Sequence, residues 1–241
     1  MERQFRRFRY ARTLELYERL PRNSAYKYEY VDNEMWISPR PIFCHAMLDL
    51  APAPEPESAF PIRSLPPGGI PDLASLFMAA FHSVQPFAPL SAPEAERAVK
   101  ECLAKTHRGG DGPLIEQACF RAEDSSSGRP VGAILITLLP PCDQDDWERV
   151  EWTEPPPATA VEQRLGQPHL TWVFVSPSEA RQGVGTALLG AGVRALLGLG
   201  YERLASTFLM GNDRSTLWHW RNGFRLLSGW SNRVRRLRER K

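Results

Sequence analysis

The chain has 241 residues, of which 42% are hydrophobic and 24% charged, so it can bury a core without a metal or disulfide staple. A net charge of +2 is too small to make the whole chain a nucleic-acid binder by charge alone. Four scattered cysteines (Cys44, Cys102, Cys119, Cys142) without a C-x-x-C argue against a zinc site and a disulfide framework; no apolar run approaches the ~20 residues of a membrane span, and cytoplasm is the default location.

Residues 1–20 predict a basic amphipathic helix ended by Pro21, with Phe5, Phe8, Leu16, Tyr17 and Leu20 as its apolar members. Tyr26 to Ile37 reads as an aromatic-rich β-hairpin turning on Asp32-Asn33. It is similar, over a short stretch, to the opening hairpin of one family of restriction nucleases, but no carboxylate–lysine core follows. Ala51 to Glu57, alternating Ala, Pro and Glu, predicts a stiff linker and the internal boundary: an extension over 1–57 and a main domain over 58–241. Both chain ends are rich in arginine and read as solvated termini.

Within the main domain, Phe60 to Leu65 predicts a strand and Ile70 to Val84 a helix. Ala92 to Lys105 predicts a second helix capped by Ser91. Leu114 to Ala122 and Val131 to Leu139 predict a hairpin around residues 125–128. Residues 140–168, rich in Pro, Asp, Glu and Trp, read as an insertion, either a substrate lid or a mobile loop, with Trp147 and Trp152 as staples. His45, His82 and His107 have no supporting context and read as packing or surface residues.

The strongest signal follows. Leu170 to Val175 is a compact apolar strand, Ala180-Arg181-Gln182-Gly183-Val184-Gly185-Thr186 a glycine-bearing turn, and Val184 to Leu199 a helical segment. Unpaired N–H groups at a helix N-terminus form an anion cradle, and glycine lets a phosphate approach the main chain. A Walker loop is absent, and Gly183-Val184-Gly185 is followed by Leu188 where a dinucleotide fingerprint has its third glycine. The spacing resembles [Q/R]-x-x-G-x-[G/A], the pyrophosphate loop of the GNAT acetyltransferases. After a strand (Tyr201 to Met210), Asn212 to Phe224 resembles that family's second signature, an Asn followed by an aromatic-bearing helix that ends in Gly-Phe.

The resemblance is strong over residues 168–227 and extends back to about residue 58. It implies an α+β (α/β) GNAT fold, a central mixed twisted sheet flanked by helices and here preceded by a helix/β-hairpin extension. It implies an N-acetyltransferase that uses acetyl-CoA as cosubstrate, needs no metal and acetylates a primary amine, on a small molecule or a peptide or protein, by direct attack in a ternary complex. The alternative is a non-catalytic acyl-CoA-binding regulatory module. Val173, Phe174 and Val175 would hold the pantetheine arm, Arg181 to Thr186 the pyrophosphate, and Asn212 and Ser215 would flank the arm. His219 stands where many relatives carry a proton-donating tyrosine and is the candidate acid. His169, fourteen positions before Gly183, is the candidate base, with Glu116 next. On a regular strand His169, Thr171, Val173 and Val175 share one face.

Two departures stand out: Ala180 occupies the usual Gln/Arg position, and only Phe224 to Lys241 remains for what is usually a two-strand finish. The N-terminal hairpin is expected to extend the sheet, cover the acceptor cleft or fill that open position, giving a monomer, or else a homodimer that shares strands.

Overall fold

The computed structural model describes residues 8–11, 13–20, 26–39, 43–54, 56, 58–84, 86–141, 151–209 and 212–227. The start of the expected basic helix, residues 142–150 of the insertion with Trp147, and the basic C-terminal run lie outside these residues.

The chain first builds a small antiparallel sheet, β1 (Phe8–Ala11), β3 (Glu34–Pro39) and β2 (Tyr26–Val31), in the order β1-β3-β2, with the short helix α1 (Leu14–Arg19) between β1 and β2. The predicted hairpin forms, and Asp32 (φ 52°) and Asn33 (φ 60°) take the left-handed turn that matches strand twist. The predicted helix over 1–20 does not: residues 8–11 pair with β3, and α1 buries no residue. A helix of six residues offers little face to bury, and Tyr17 makes its contact with the small sheet, its ring 5.3 Å from that of Tyr30 and its hydroxyl donating to Tyr28 O (3.2 Å).

Among the described residues the main sheet has seven strands, in the order β10-β4-β9-β8-β7-β6-β5. These are β4 (Phe43–Asp49), β5 (Ile62–Ser64), β6 (Phe120–Glu123), β7 (Pro130–Leu139), β8 (Gln167–Val175), β9 (Arg203–Leu209) and β10 (Arg225–Leu226). Only the β8–β9 pair is parallel, joined by the crossover helix α4 (Val184–Gly198). On the opposite face lie α2 (Ala74–Phe81) and α3 (Ala92–His107); Ser91 N–H donates to the Glu94 carboxylate at 3.0 Å, capping α3 as expected. Helix α5 (Asp213–Arg221) packs against β9 on the α4 side, where His219 meets Ser206 and stacks on Phe208.

The place beside β9 is filled from within the chain, by β4 and not by the hairpin. β4 pairs with β9 along its whole length, from Phe43↔Leu209 to Asp49↔Arg203, and the two-residue β10 adds outside it. The boundary read at residue 57 therefore falls after a strand of the main sheet. Ala46, fully buried, belongs to the same core cluster as Leu188, Leu204 and Phe224. From β4 the linker must cross five strand spacings to reach β5, about 24 Å. It runs over α4, where a side chain at Gly190 would stand 2.8 Å from Pro56.

Two cores sandwich the sheet. One, under α4, contains Ile134, Ile136, Leu170, Val184 and Leu188. The other, under α2 and α3, contains Phe77, Phe87, Val99, Leu135 and Phe174. The described part of the insertion is neither lid nor loose loop: Trp152 Nε1 donates to Leu138 O (2.9 Å), Tyr201 Oη to Val161 O (2.8 Å), and Ala160 is buried. It closes the sheet at the start of β8 and the end of α4, away from the glycine loop.

Candidate active site

The loop between β8 and α4 is built from backbone. Arg181 (φ 69°) and Gly183 (φ 78°) are both left-handed, on either side of Gln182, so the chain doubles back before Val184 starts the helix. The first helical hydrogen bond runs from Ala187 N–H to Gly183 O at 2.9 Å, so the N–H groups of Val184, Gly185 and Thr186 have no helical acceptor. Those donors and the positive end of the helix dipole face an exposed loop (Arg181, Gln182 and Gly183 are all exposed), which suits a pyrophosphate. Val184 contributes backbone only, since its side chain is in the core. Gln182 Nε2 donates to the Glu179 carboxylate (2.8 Å), which tethers the one acidic side chain of the turn. Gly185 has a different duty from Gly183: a Cβ there would meet Trp218 Nε1 at 3.0 Å and Val175 at 3.7 Å, so its bareness lets α5 approach α4.

Both helices end on a left-handed glycine, and at α5 this is the Gly-Phe of the sequence signature. At α4, Gly200 N–H donates to Leu197 O and Tyr201 N–H to Leu196 O; at α5, Gly223 N–H donates to Trp220 O and Phe224 N–H to His219 O. Gly200 (φ 82°) and Gly223 (φ 82°) supply the left-handed residue. Asn212 caps α5, its Oδ1 accepting from Ser215 N–H at 3.2 Å.

The cleft lies between β8 and β9. They pair only through His169↔Ala205 and Leu170↔Ser206. Beyond that point the edge of β8 over residues 171–175 has no strand partner on the β9 side among the described residues, while its other edge pairs with β7. An extended polar arm with amide groups fits such an open edge, and the opening leads toward the N-terminus of α4.

A bulge reorders the side chains of β8. Trp172 pairs with Leu135 and Leu170 with the next residue, Ile136, leaving Thr171 as the extra residue. Val173 and Val175 therefore face the α4 core with Leu170, while Trp172 and Phe174 face α2, Phe77 lying 4.8 and 5.1 Å from their rings. His169 and Thr171 do not share a face with Val173 and Val175, because one inserted residue shifts the alternation. Both belong to the α2/α3 face: Thr171 Oγ1 lies 2.8 Å from Thr137 Oγ1 and 3.2 Å from His169 Nδ1. On the same face His169 Nε2 lies 3.2 Å from Thr207 Oγ1, and Thr207 Oγ1 lies 3.1 Å from His45 Nδ1. Burial lowers the pKa of His169 to about 4 against the partial opposition of the Asp111 charge, and lowers that of His45 as well.

His219 sits on the other face. It is 3% exposed, stacks on Phe208 at 4.2 Å, and meets Trp218 and Phe224 edge-on. Nδ1 donates to Ser215 O (2.7 Å), which leaves Nε2 to accept from Ser206 Oγ (2.8 Å). Burial lowers its pKa to about 4. The ring is thus neutral near pH 7 with both nitrogens engaged, where the sequence reading expected a protonated donor; its neighbours are Phe208, Trp218 and Phe224, whereas Trp220 is 73% exposed. Glu116 is not brought to the cleft. The predicted strand 114–122 breaks into a single bridge at Leu114, a 3-10 turn over Glu116–Ala118 that packs on α4, and β6; Glu116 is exposed. The sequence reading did not place His45 and Thr207 beside His169; the alternation of β4 and β9 puts them on one face only once the pairing of these distant segments is known.

The family model described as the acetyltransferase (GNAT) family matches residues 77–224, and the chain belongs to that family. A solved GCN5-related N-acetyltransferase from Sphaerobacter thermophilus shares the fold, with a TM-score of 0.50 and 16% identity over 78% of this chain and 49% of that one, so the chain spans about half its length. The PaiA N-acetyltransferase from Thermoplasma acidophilum, solved with coenzyme A, gives 0.48 and 13% over 69% and 90% of the two chains. An aminoglycoside 6'-N-acetyltransferase from Acinetobacter baumannii gives 0.43 and 14% over 70% and 92%. No curated protein matches the sequence. Among the described residues no helix is long and apolar enough to cross a membrane, and no group of His, Cys, Asp and Glu could hold a metal ion.

Proposed function

We propose that the chain is an acetyl-CoA-dependent N-acetyltransferase that acts on a primary amine by direct attack in a ternary complex. The observation that supports this most is the parting of β8 and β9 beyond Leu170/Ser206, opening toward the bare N-terminus of α4. The backbone of Arg181 to Thr186 would hold the pyrophosphate, the open edge at Val173, Phe174 and Val175 the pantetheine arm, and Asn212 and Ser215 its flank. The thioester then lies near the inner end of the opening, beside His169 and Thr207. The amine must lose a proton as the C–N bond forms, since an alkylamine has a pKa of ~10.4. A thiol ionises near ~8.5, so the leaving thiolate needs little acid help at mildly alkaline pH. We therefore assign His219 to holding α5 on β9, and give Glu116 no role.

A non-catalytic acyl-CoA-binding module is the second reading. Ala180 in the loop and the full engagement of both His219 nitrogens favour it. One experiment separates the two: titration with acetyl-CoA, followed by CoA release in the presence of spermidine, kanamycin, lysine amide or a short peptide with a free α-amine. Micromolar binding with turnover of one of these amines supports the enzyme. Binding with no release from any of them contradicts catalysis and favours the module.

A further inference from the structure

Among the described residues outside the small sheet, three tryptophans are half-buried: Trp152, Trp172 and Trp218. An indole N–H can only donate, and a half-buried one is normally spent on a protein acceptor. Trp152 gives its hydrogen to Leu138 O (2.9 Å) and Trp172 to Thr106 Oγ1 (2.9 Å). Trp218 Nε1 has no acceptor in the chain. It is not sealed in either: the one buried side-chain nitrogen or oxygen without a partner among the described residues is Arg121 Nε. The Trp218 N–H is therefore unspent and open to solvent.

Its place is the first turn of α4. A Cβ at Gly185 would stand 3.0 Å from Trp218 Nε1, 3.6 Å from its Cε2 and 3.7 Å from Val175 Cγ2. The Cα–Cβ direction of a helical residue tilts toward the helix N-terminus. The indole nitrogen thus flanks the turn on the side to which the Val184, Gly185 and Thr186 N–H groups point. Cβ and N of one residue are about 2.5 Å apart, which puts Nε1 within about 5.5 Å of Gly185 N. One oxygen can accept from two N–H groups at about 2.9 Å each when their nitrogens stand within about 5.8 Å of one another. The indole and the helix N-terminus can therefore share one phosphate group.

The ring is held in that place by the protein itself. Trp218 packs on the α4-side core, meets His219 edge-on at 5.0 Å and leans on Phe224 at 6.2 Å. His219 is in turn fixed through both nitrogens, by Ser215 O and Ser206 Oγ. The nearby acceptors are already engaged: Asn212 Oδ1 caps α5, and Gln182 tethers the Glu179 carboxylate.

We propose that Trp218 is a further binding residue of the pyrophosphate site. Its indole N–H donates to a pyrophosphate oxygen of the acyl-CoA alongside the N–H groups of α4. It supplies the side-chain donor that Ala180 cannot, at the position where the loop signature has Gln or Arg. The inference rests on the acetyl-CoA reading above. No proton is transferred; a neutral donor meets an anionic acceptor, a bond roughly twice as strong as one between neutral groups. Gly185 then serves the ligand by staying bare, because only a residue without a Cβ admits the indole this close.

The test uses the full chain labelled with ¹⁵N-tryptophan, its seven indole resonances assigned by single Trp→Phe variants. Saturating acetyl-CoA should move the Trp218 N–H proton downfield and slow its exchange with solvent. S-acetylpantetheine, which carries the same arm and thioester without phosphate, should do neither. In calorimetric titrations Trp218→Phe, which keeps an aromatic ring and loses the donor, should raise the Kd for acetyl-CoA about 10–100-fold. Trp220→Phe, on the exposed side of α5, should leave it within twofold. A Trp218 resonance that acetyl-CoA leaves in place, one that S-acetylpantetheine moves equally, or a Kd in Trp218→Phe within twofold of wild type overturns the proposal. The spectra are those of the wild type, so they decide even if Trp218→Phe fails to fold, its resonance then being assigned by elimination. A wild type that binds no acetyl-CoA removes the acetyl-CoA reading and this site with it. Binding with Trp218 indifferent removes the site alone.

Discussion

His169 and His219 are on opposite faces of the sheet, yet burial acts on both in the same direction, lowering each pKa to about 4. Below pH 6.5 the unfolded chain binds protons that the folded chain refuses, so stability rises with pH between about 4 and 6.5 and is lost on acidification through that window. A displacement of that size is worth on the order of 3 kcal/mol per ring. Urea midpoints at pH 7.5, 6 and 5 should fall steadily in the wild type and less steeply in His219→Phe. A midpoint flat over that range would contradict the buried neutral rings. His219→Phe also strands the Ser206 hydroxyl, at a cost of about 1–3 kcal/mol, while acetyl-CoA affinity holds. Retained stability would mean that the ring does not tie α5 to β9. The residues of the loop were legible because backbone donors need only glycine, spacing and a helix behind them. The polar set of Thr137, Thr171, His169, Thr207 and His45 was not, because all five are Thr or His in unremarkable contexts that come together only through strand pairing.

At the scale of elements, α4 is the piece on which the site depends. Its N-terminus faces the cleft, its middle carries Gly190 under Pro56, and its end is closed by Gly200. Gly190→Val should cost about 1–3 kcal/mol by overpacking against the proline ring. A wild-type melting curve for that variant would mean that the linker does not rest on the helix. Gly185→Glu is a poor probe of the phosphate cradle, since a side chain there collides with Trp218 before it reaches any ligand. Strand β8, helix α4, strand β9 and helix α5 were all readable from apolar runs, glycine stops and the Asn212 cap. The strand at 114–122 misread for a physical reason. Ile115 and Ala118 are apolar because they pack in the α4-side core at the start and end of a 3-10 turn, and apolar residues alone do not reveal which backbone holds them. The bulge at Thr171 leaves no mark in composition, so the facing of β8 required coordinates.

For the whole molecule, the last strand of the N-terminal extension, β4, is part of the main sheet. β4 covers the edge of β9 and β10 covers β4, so the core closes with a strand that precedes the linker. Ala46→Asp would place an unpaired charge in that core and should destabilise the entire chain by about 3–5 kcal/mol, abolishing cooperative unfolding of a separate main domain. A variant that loses only the small β1-β3-β2 sheet would contradict this. That residues 43–49 supply the strand beside β9 could not be read, because strand partners about 160 residues apart share no local pattern. The central claim, that an acyl-CoA lies between β8 and β9 with its pyrophosphate on the α4 loop, is tested most directly by calorimetric titration of acetyl-CoA into wild type and Gly183→Val. The variant forces a β-branched residue to φ 78° at an exposed position of the loop. Micromolar binding to the wild type, lost in a variant that still melts cooperatively, is the expected result. Equal binding by both proteins would contradict it.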